Sequence, residues 1–140
     1  VGVNLLFELN RQLARLIQPY SEYTPSIEEI HHLQKLDAPS GTAVTLANDL
    51  MQNNTKVNQW KLGEESAPEV ESNELAITSF RLPDVPGTHV VKYTSEIDTI
   101  EIKHEAHNRK GFALGAVLAA EYLNGKKGIF TMSDVLNFKI

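Results

Sequence analysis

Apolar positions recur at helical spacing from the start of the chain. Leu5, Leu6, Leu9, Leu13, Leu16 and Ile17 interleave with Glu8, Arg11, Gln12 and Arg15, which predicts an amphipathic helix over residues 4–17, stopped by Pro19. Residues 21–32 break that rhythm. Tyr23, Ile27 and Ile30 are irregularly spaced, and Pro25 with the acidic pair Glu28 and Glu29 disfavours a long helix, so a strand ending near His32 is expected. Residues 33–40 read as a loop, because Pro39 can open a helix but not continue one and holds Ala38 extended. A second helix over 41–51 buries Ala43, Leu46, Ala47, Leu50 and Met51 and turns Asn48 and Asp49 outward.

Residues 52–74 are polar, acidic and nearly patternless, which predicts a variable excursion with room for a short helix. Three strands follow at 75–82, 88–94 and 98–104; in the last, Ile100, Ile102 and His104 share one face. Turn residues at 83–87 and at Ser95-Glu96 separate them and suggest an antiparallel meander alongside the earlier strand. After Arg109-Lys110-Gly111 the helical period returns through Phe112, Leu114, Gly115, Ala116, Leu118, Ala119 and Leu123 and closes at Asn124-Gly125. A short capped helix opens at Thr131 or Ser133. The pattern is α+β: a mixed sheet of four strands or slightly more, with helices packed on one face.

Composition narrows the class. At 140 residues, 41% hydrophobic and 22% charged, the chain has enough apolar content for one core and neither a disordered nor a fibrous balance. A net charge of -5 with scattered Lys and Arg argues against nucleic acid as a partner, and no apolar run approaches the roughly 20 residues that span a bilayer. Cysteine is absent, which removes thiol chemistry and fits a cytoplasmic setting. The opening Val1-Gly2-Val3-Asn4 has neither an initiator Met nor a basic leader and reads as the start of a fragment.

The chemistry concentrates in residues 31–43. Two imidazoles, His31 and His32, and the ammonium of Lys35 lie within five residues, directly before a Pro39-Ser40-Gly41-Thr42 helix start whose free N–H groups can hold an anion. A small carboxylate suits such a place. On a strand, adjacent histidines point to opposite faces and cannot chelate one metal together; with no HxH or HExxH spacing, no metal site is expected. Lys35 can serve as proton donor, electrostatic clamp or Schiff-base nucleophile, and Arg81 and Arg109 are further candidates for anion contacts. The residues alone therefore also admit a Schiff-base lyase or aldolase, or a non-catalytic oligomerisation module.

Several motifs, in order, carry a family resemblance: Val1-Gly2-Val3-Asn4, then Glu29-Ile30-His31-His32-x-x-Lys35-x-Asp37-Ala38-Pro39-Ser40-Gly41-Thr42-Ala43. Arg81-x-x-x-x-x-Gly87-x-His89, Ile102-x-His104-x-Ala106-x-x-Arg109-x-x-Phe112-Ala113-x-Gly115-Ala116 and Met132-x-Asp134-Val135-Leu136 follow. Together they resemble the 4-hydroxy-tetrahydrodipicolinate reductase (dihydrodipicolinate reductase) family of the diaminopimelate route to lysine. The resemblance implies a two-domain, homotetrameric oxidoreductase in which NADPH or NADH sits on an N-terminal Rossmann domain and reduces a cyclic dicarboxylate imine. It implies that residues 1–108 are the substrate-binding and oligomerisation domain and that 109–140 return to the missing dinucleotide domain. By the same resemblance His31 is the proton donor/acceptor, Lys35 the proton donor, and His32, Ser40, Gly41 and Thr42 the substrate-carboxylate contacts. Arg109 is the one candidate here for a cofactor contact. Leu33 stands where the family commonly has a basic residue and Pro83 where it commonly has glycine. Such a piece alone is expected to be catalytically silent, and the apolar 112–123 stripe to lack its partner.

Overall fold

A computed structural model describes residues 1–138. Helix α1 (Gly2–Ile17) leads into strand β1 (Thr24–His31), then helix α2 (Gly41–Asn53), β2 (Gln59–Glu64), β3 (Glu74–Arg81), β4 (Gly87–Thr94) and β5 (Thr99–Ala106). Helices α3 (Lys110–Leu123) and α4 (Met132–Leu136) follow, and Thr131 caps α4 with the Asp134 carboxylate accepting from its N–H at 2.7 Å. The single sheet has five strands in the order β2-β3-β1-β4-β5. Outside residues 52–74 every predicted helix and strand is present, with ends shifted by at most three residues.

Two expectations need correction. The 52–74 excursion holds strand β2 and not a short helix; its exposed edge position removes the alternation that would have marked it. The last three strands are not a meander either. Only β4 and β5 are antiparallel neighbours by hairpin, while β3 runs parallel to β1 on its other edge. The reason is α2: a parallel neighbour requires a crossover, and α2 supplies it between β1 and the β2–β3 pair. Residues 82–86 then pass over the end of β1 to reach β4. Beside β2, the return loop lies so close at Gly63 that a Cβ there would stand 2.2 Å from the Ser66 carbonyl oxygen.

One face of the sheet packs against α1 and α2. Across it run aligned rows, Leu62, Ile77, Ile27, Val91 and Ile102 in one, with Tyr93 below on β4. Leu46, Ala47 and Leu50 of α2 and Leu6, Ala14 and Ile17 of α1 close the core over Ile27, Ile77, Val91 and Tyr93. Each buried Leu or Ile contributes about 1.5–3 kcal/mol by leaving water. Asn10 is a buried exception, donating from Nδ2 to the Leu46 carbonyl at 2.9 Å, and Arg11 bridges the helices through Asp49 at 2.8 Å.

One step toward the C-terminal end of β1, the inner face changes character. The next row is Glu64, Ser79, Glu29, His89 and His104, and the row beyond it begins Arg81, His31, Gly87 and Ala106. Polar and ionisable groups thus occupy core-facing positions at the end of the strands where α2 starts. None of the helices among the described residues is long and apolar enough to cross a membrane.

Candidate active site

Strand β1 delivers Glu29 and His31 to the same face, two residues apart, and both are buried. Glu29 is completely enclosed. Its Oε1 accepts from Arg81 Nη1 at 2.9 Å, and its Oε2 lies against His31 Nδ1. Burial pushes the carboxyl up, but His31, Ser79 and Arg81 around it outweigh that and bring the group down to about 2, so Glu29 is ionised. His89, the β4 neighbour of Glu29, packs edge-on against His31 with ring centroids 5.0 Å apart. Burial, reinforced by the positive charge His31 can carry, brings His89 down to about 4 and keeps its ring neutral near pH 7.

Arg81 also fixes the loop between β1 and α2. Besides Glu29, its guanidinium donates to the carbonyls of Asp37 at 2.7 Å and Lys35 at 3.4 Å. The Lys35 ammonium meets the Asp37 carboxylate at 2.9 Å near the surface. Arg81 is therefore spent on internal partners, whereas it was expected as a candidate for anion contacts.

Ser40 caps α2 in the manner the sequence suggests, its Oγ accepting from Ala43 N–H at 3.1 Å. The same hydroxyl shares a 3.0 Å hydrogen bond with His89 Nε2, and the residue is only 1% exposed. Its side chain thus faces inward. The N–H groups of Gly41 and Thr42 have no partner among the described residues, and nothing lies within 4 Å of where a Gly41 Cβ would be. The helix start is open to a ligand. His32, on the opposite side of β1 from His31, lines a cleft of about 450 Å³ with Asp84, Pro86 and Arg109.

The sequence brought His31, His32, Lys35 and residues 40–42 to attention, and the fold gathers all of them at one end of the sheet. What sequence reasoning missed were the roles of Glu29, Arg81 and His89. The available signal was a charged residue at an inward position of an otherwise apolar strand face. Among the described residues, Glu29, His31 and His89 each offer a ligand atom, all within 4.8 Å of one another, which the adjacent-histidine argument did not anticipate. Two of these groups are already engaged, Glu29 by Arg81 and His89 by Ser40.

The family model described as dihydrodipicolinate reductase, C-terminus, matches residues 2–136. This chain belongs to the dihydrodipicolinate reductase family. The 4-hydroxy-tetrahydrodipicolinate reductase of Christiangramia forsetii is 55% identical over 137 residues, covering 98% of this chain and 55% of that protein. The Methanosarcina barkeri reductase of the same name is 41% identical over 138 residues, covering 97% of this chain and 50% of its own. A solved structure of dipicolinate-bound dihydrodipicolinate reductase from Paenisporosarcina sp. TG-14 matches with a TM-score of 0.60 at 27% identity, covering 82% of this chain and 44% of that one. The chain spans about half the length of the curated relatives it matches. As a reductase-family domain, it carries no glycine-rich strand-to-helix turn among the described residues, and Arg109 is its one exposed arginine beside the His32 cleft.

Proposed function

We propose that this chain is the substrate half of an NAD(P)H-dependent 4-hydroxy-tetrahydrodipicolinate reductase in lysine biosynthesis. The observation that carries the reading is Arg81, which joins the buried Glu29–His31 pair to the loop bearing Lys35 and so makes one unit of two proton-handling residues. A nicotinamide cofactor, when bound, supplies hydride. Reduction of the cyclic imine also requires a proton, and His31 and Lys35 are the groups that hold it. The dianionic substrate is gripped by the free N–H groups of Gly41 and Thr42, with the Thr42 hydroxyl and His32 as further contacts. Ser40 contributes by holding the helix start in place, and Arg109, which lines the cleft with His32, is the residue that would contact the cofactor. This division supports a boundary near residue 108, with 109–140 returning to a dinucleotide-binding domain. A homotetramer built through the helix-free face of the sheet and a cytoplasmic location complete the reading.

The test joins this chain to the N-terminal half of the Christiangramia forsetii relative and follows NAD(P)H oxidation with the hydroxy-imine substrate. Turnover by the chimera, silence of the chain alone, and loss of most turnover in Lys35→Ala are expected. A chain that oxidises NAD(P)H unaided, or a Lys35→Ala chimera with full activity, would overturn the assignment. Borohydride trapping of an oxo-acid on Lys35 would instead favour a Schiff-base lyase.

A further inference from the structure

Glu29 is a costly residue to keep where it is. A carboxylate enclosed in a core loses its hydration, and only close partners on its oxygens offset that loss. An apolar side chain would extend the neighbouring row of Ile27, Ile77 and Val91 without that cost. Each oxygen faces a nitrogen, Oε1 by a hydrogen bond and Oε2 by a close charge contact, and the two partners differ in kind. Arg81 takes Oε1 and cannot give up its charge; His31 takes Oε2 through Nδ1 and can exchange a proton at its other nitrogen.

The His31 ring is restrained on its remaining sides. His89 packs edge-on against it at 72°, and Gly87 lies flat beside it, where a Cβ would stand 3.1 Å from Nε2. A side chain at 87 would crowd the ring and require it to give by a few tenths of an ångström. Nε2 itself makes no hydrogen bond among the described residues. In a neutral imidazole one nitrogen bears hydrogen and the other a lone pair, so a carboxylate on Nδ1 determines which is which.

We propose that Glu29 is a positioning residue: pinned by Arg81, its carboxylate holds the Nδ1–H of His31 and thereby makes Nε2 the nitrogen that gives and regains the proton. This rests on the reading of His31 as a proton carrier. When Nε2 has delivered its proton, the ring is left neutral with Nδ1–H still bound to Glu29, and Nε2 is recharged from solvent. The ionised carboxylate also stabilises the imidazolium in the charged half of the cycle.

Ring ¹⁵N spectroscopy of this chain, at a pH where His31 is neutral, tests the proposal directly. A protonated Nδ1 and a bare Nε2 are expected, and the reverse tautomer would overturn the proposal with no variant needed. Glu29→Gln sharpens the test. Arg81 still requires an acceptor, so the glutamine carbonyl turns to it and the NH₂ group faces Nδ1, which inverts the His31 tautomer. In the chimera this variant is expected to lower kcat on the order of 10²–10⁴-fold with KM nearly unchanged. Full kcat in Glu29→Gln, alongside inactivity of His31→Asn, would overturn the positioning role alone. Full kcat in His31→Asn would overturn the proton-carrier reading and the positioning role with it.

Discussion

Glu29 and His89 face each other across β1 and β4 and respond to acid over different ranges. An unfolded chain takes up a proton at His89 near its ordinary 6.5, while the folded chain resists until about 4, so acidification between those values favours unfolding. Glu29 follows. Its contribution is complete above its ordinary 4.5 and is lost as the pH falls through about 2. The expected outcome is a urea midpoint that falls between about pH 6.5 and 4 as His89 takes up its proton, and goes on falling from about 4.5 toward 2 as Glu29 does. In His89→Asn the upper part of that decline should flatten while the lower part remains. Denaturation series at several pH values would show whether the two ranges separate.

Helix α2 begins where the polar end of the sheet begins, and Ser40 ties the two together. Ser40→Ala is expected to cost about 1 kcal/mol for the lost cap and about 1–3 kcal/mol more for the buried His89 nitrogen left without a partner. Ser40→Thr should recover much of this, and chemical denaturation measures both. The legibility of the sequence varied at this scale for identifiable reasons. α1 and α2 were readable because each buries one stripe of a two-sided helix, and β5 because Ile100, Ile102 and His104 alternate with polar residues. β2 was not, since an exposed edge strand imposes little on Gln59, Trp60 and Lys61. The neighbours of β3 were not readable either, because periodicity marks which residues face inward but says nothing of which strand lies alongside. In the site, His31, His32, Lys35 and residues 40–42 announced themselves by lying close together in the chain. Glu29 and Arg81 did not, because their meaning comes from a contact between positions 52 apart in the chain.

For the molecule as a whole, α3 and α4 stand apart from the rest. They pack chiefly on each other, and Phe112, Leu114 and Val117 are each more than half exposed. A groove of about 470 Å³ runs between α3, the first residues of α1 and the end of β5. A chain ended at residue 108 should therefore still unfold cooperatively. A loss of cooperativity in circular dichroism would show the sheet to depend on the helices after all.

The position of β1 in the sheet has a different kind of consequence, one of timing. Ladders run along both of its edges, to β3 and to β4, so it cannot be exposed without dividing the sheet. Amides of Ile27 through Ile30 should exchange with deuterium at the rate of global unfolding, whereas Leu33, Gln34 and Leu36 in the following loop exchange orders of magnitude sooner. Mass spectrometry of exchanged peptides would reveal that contrast. The strand holding Glu29 and His31 is thus among the last parts of the molecule to open, so carboxylate and imidazole stay on one face for as long as the sheet persists.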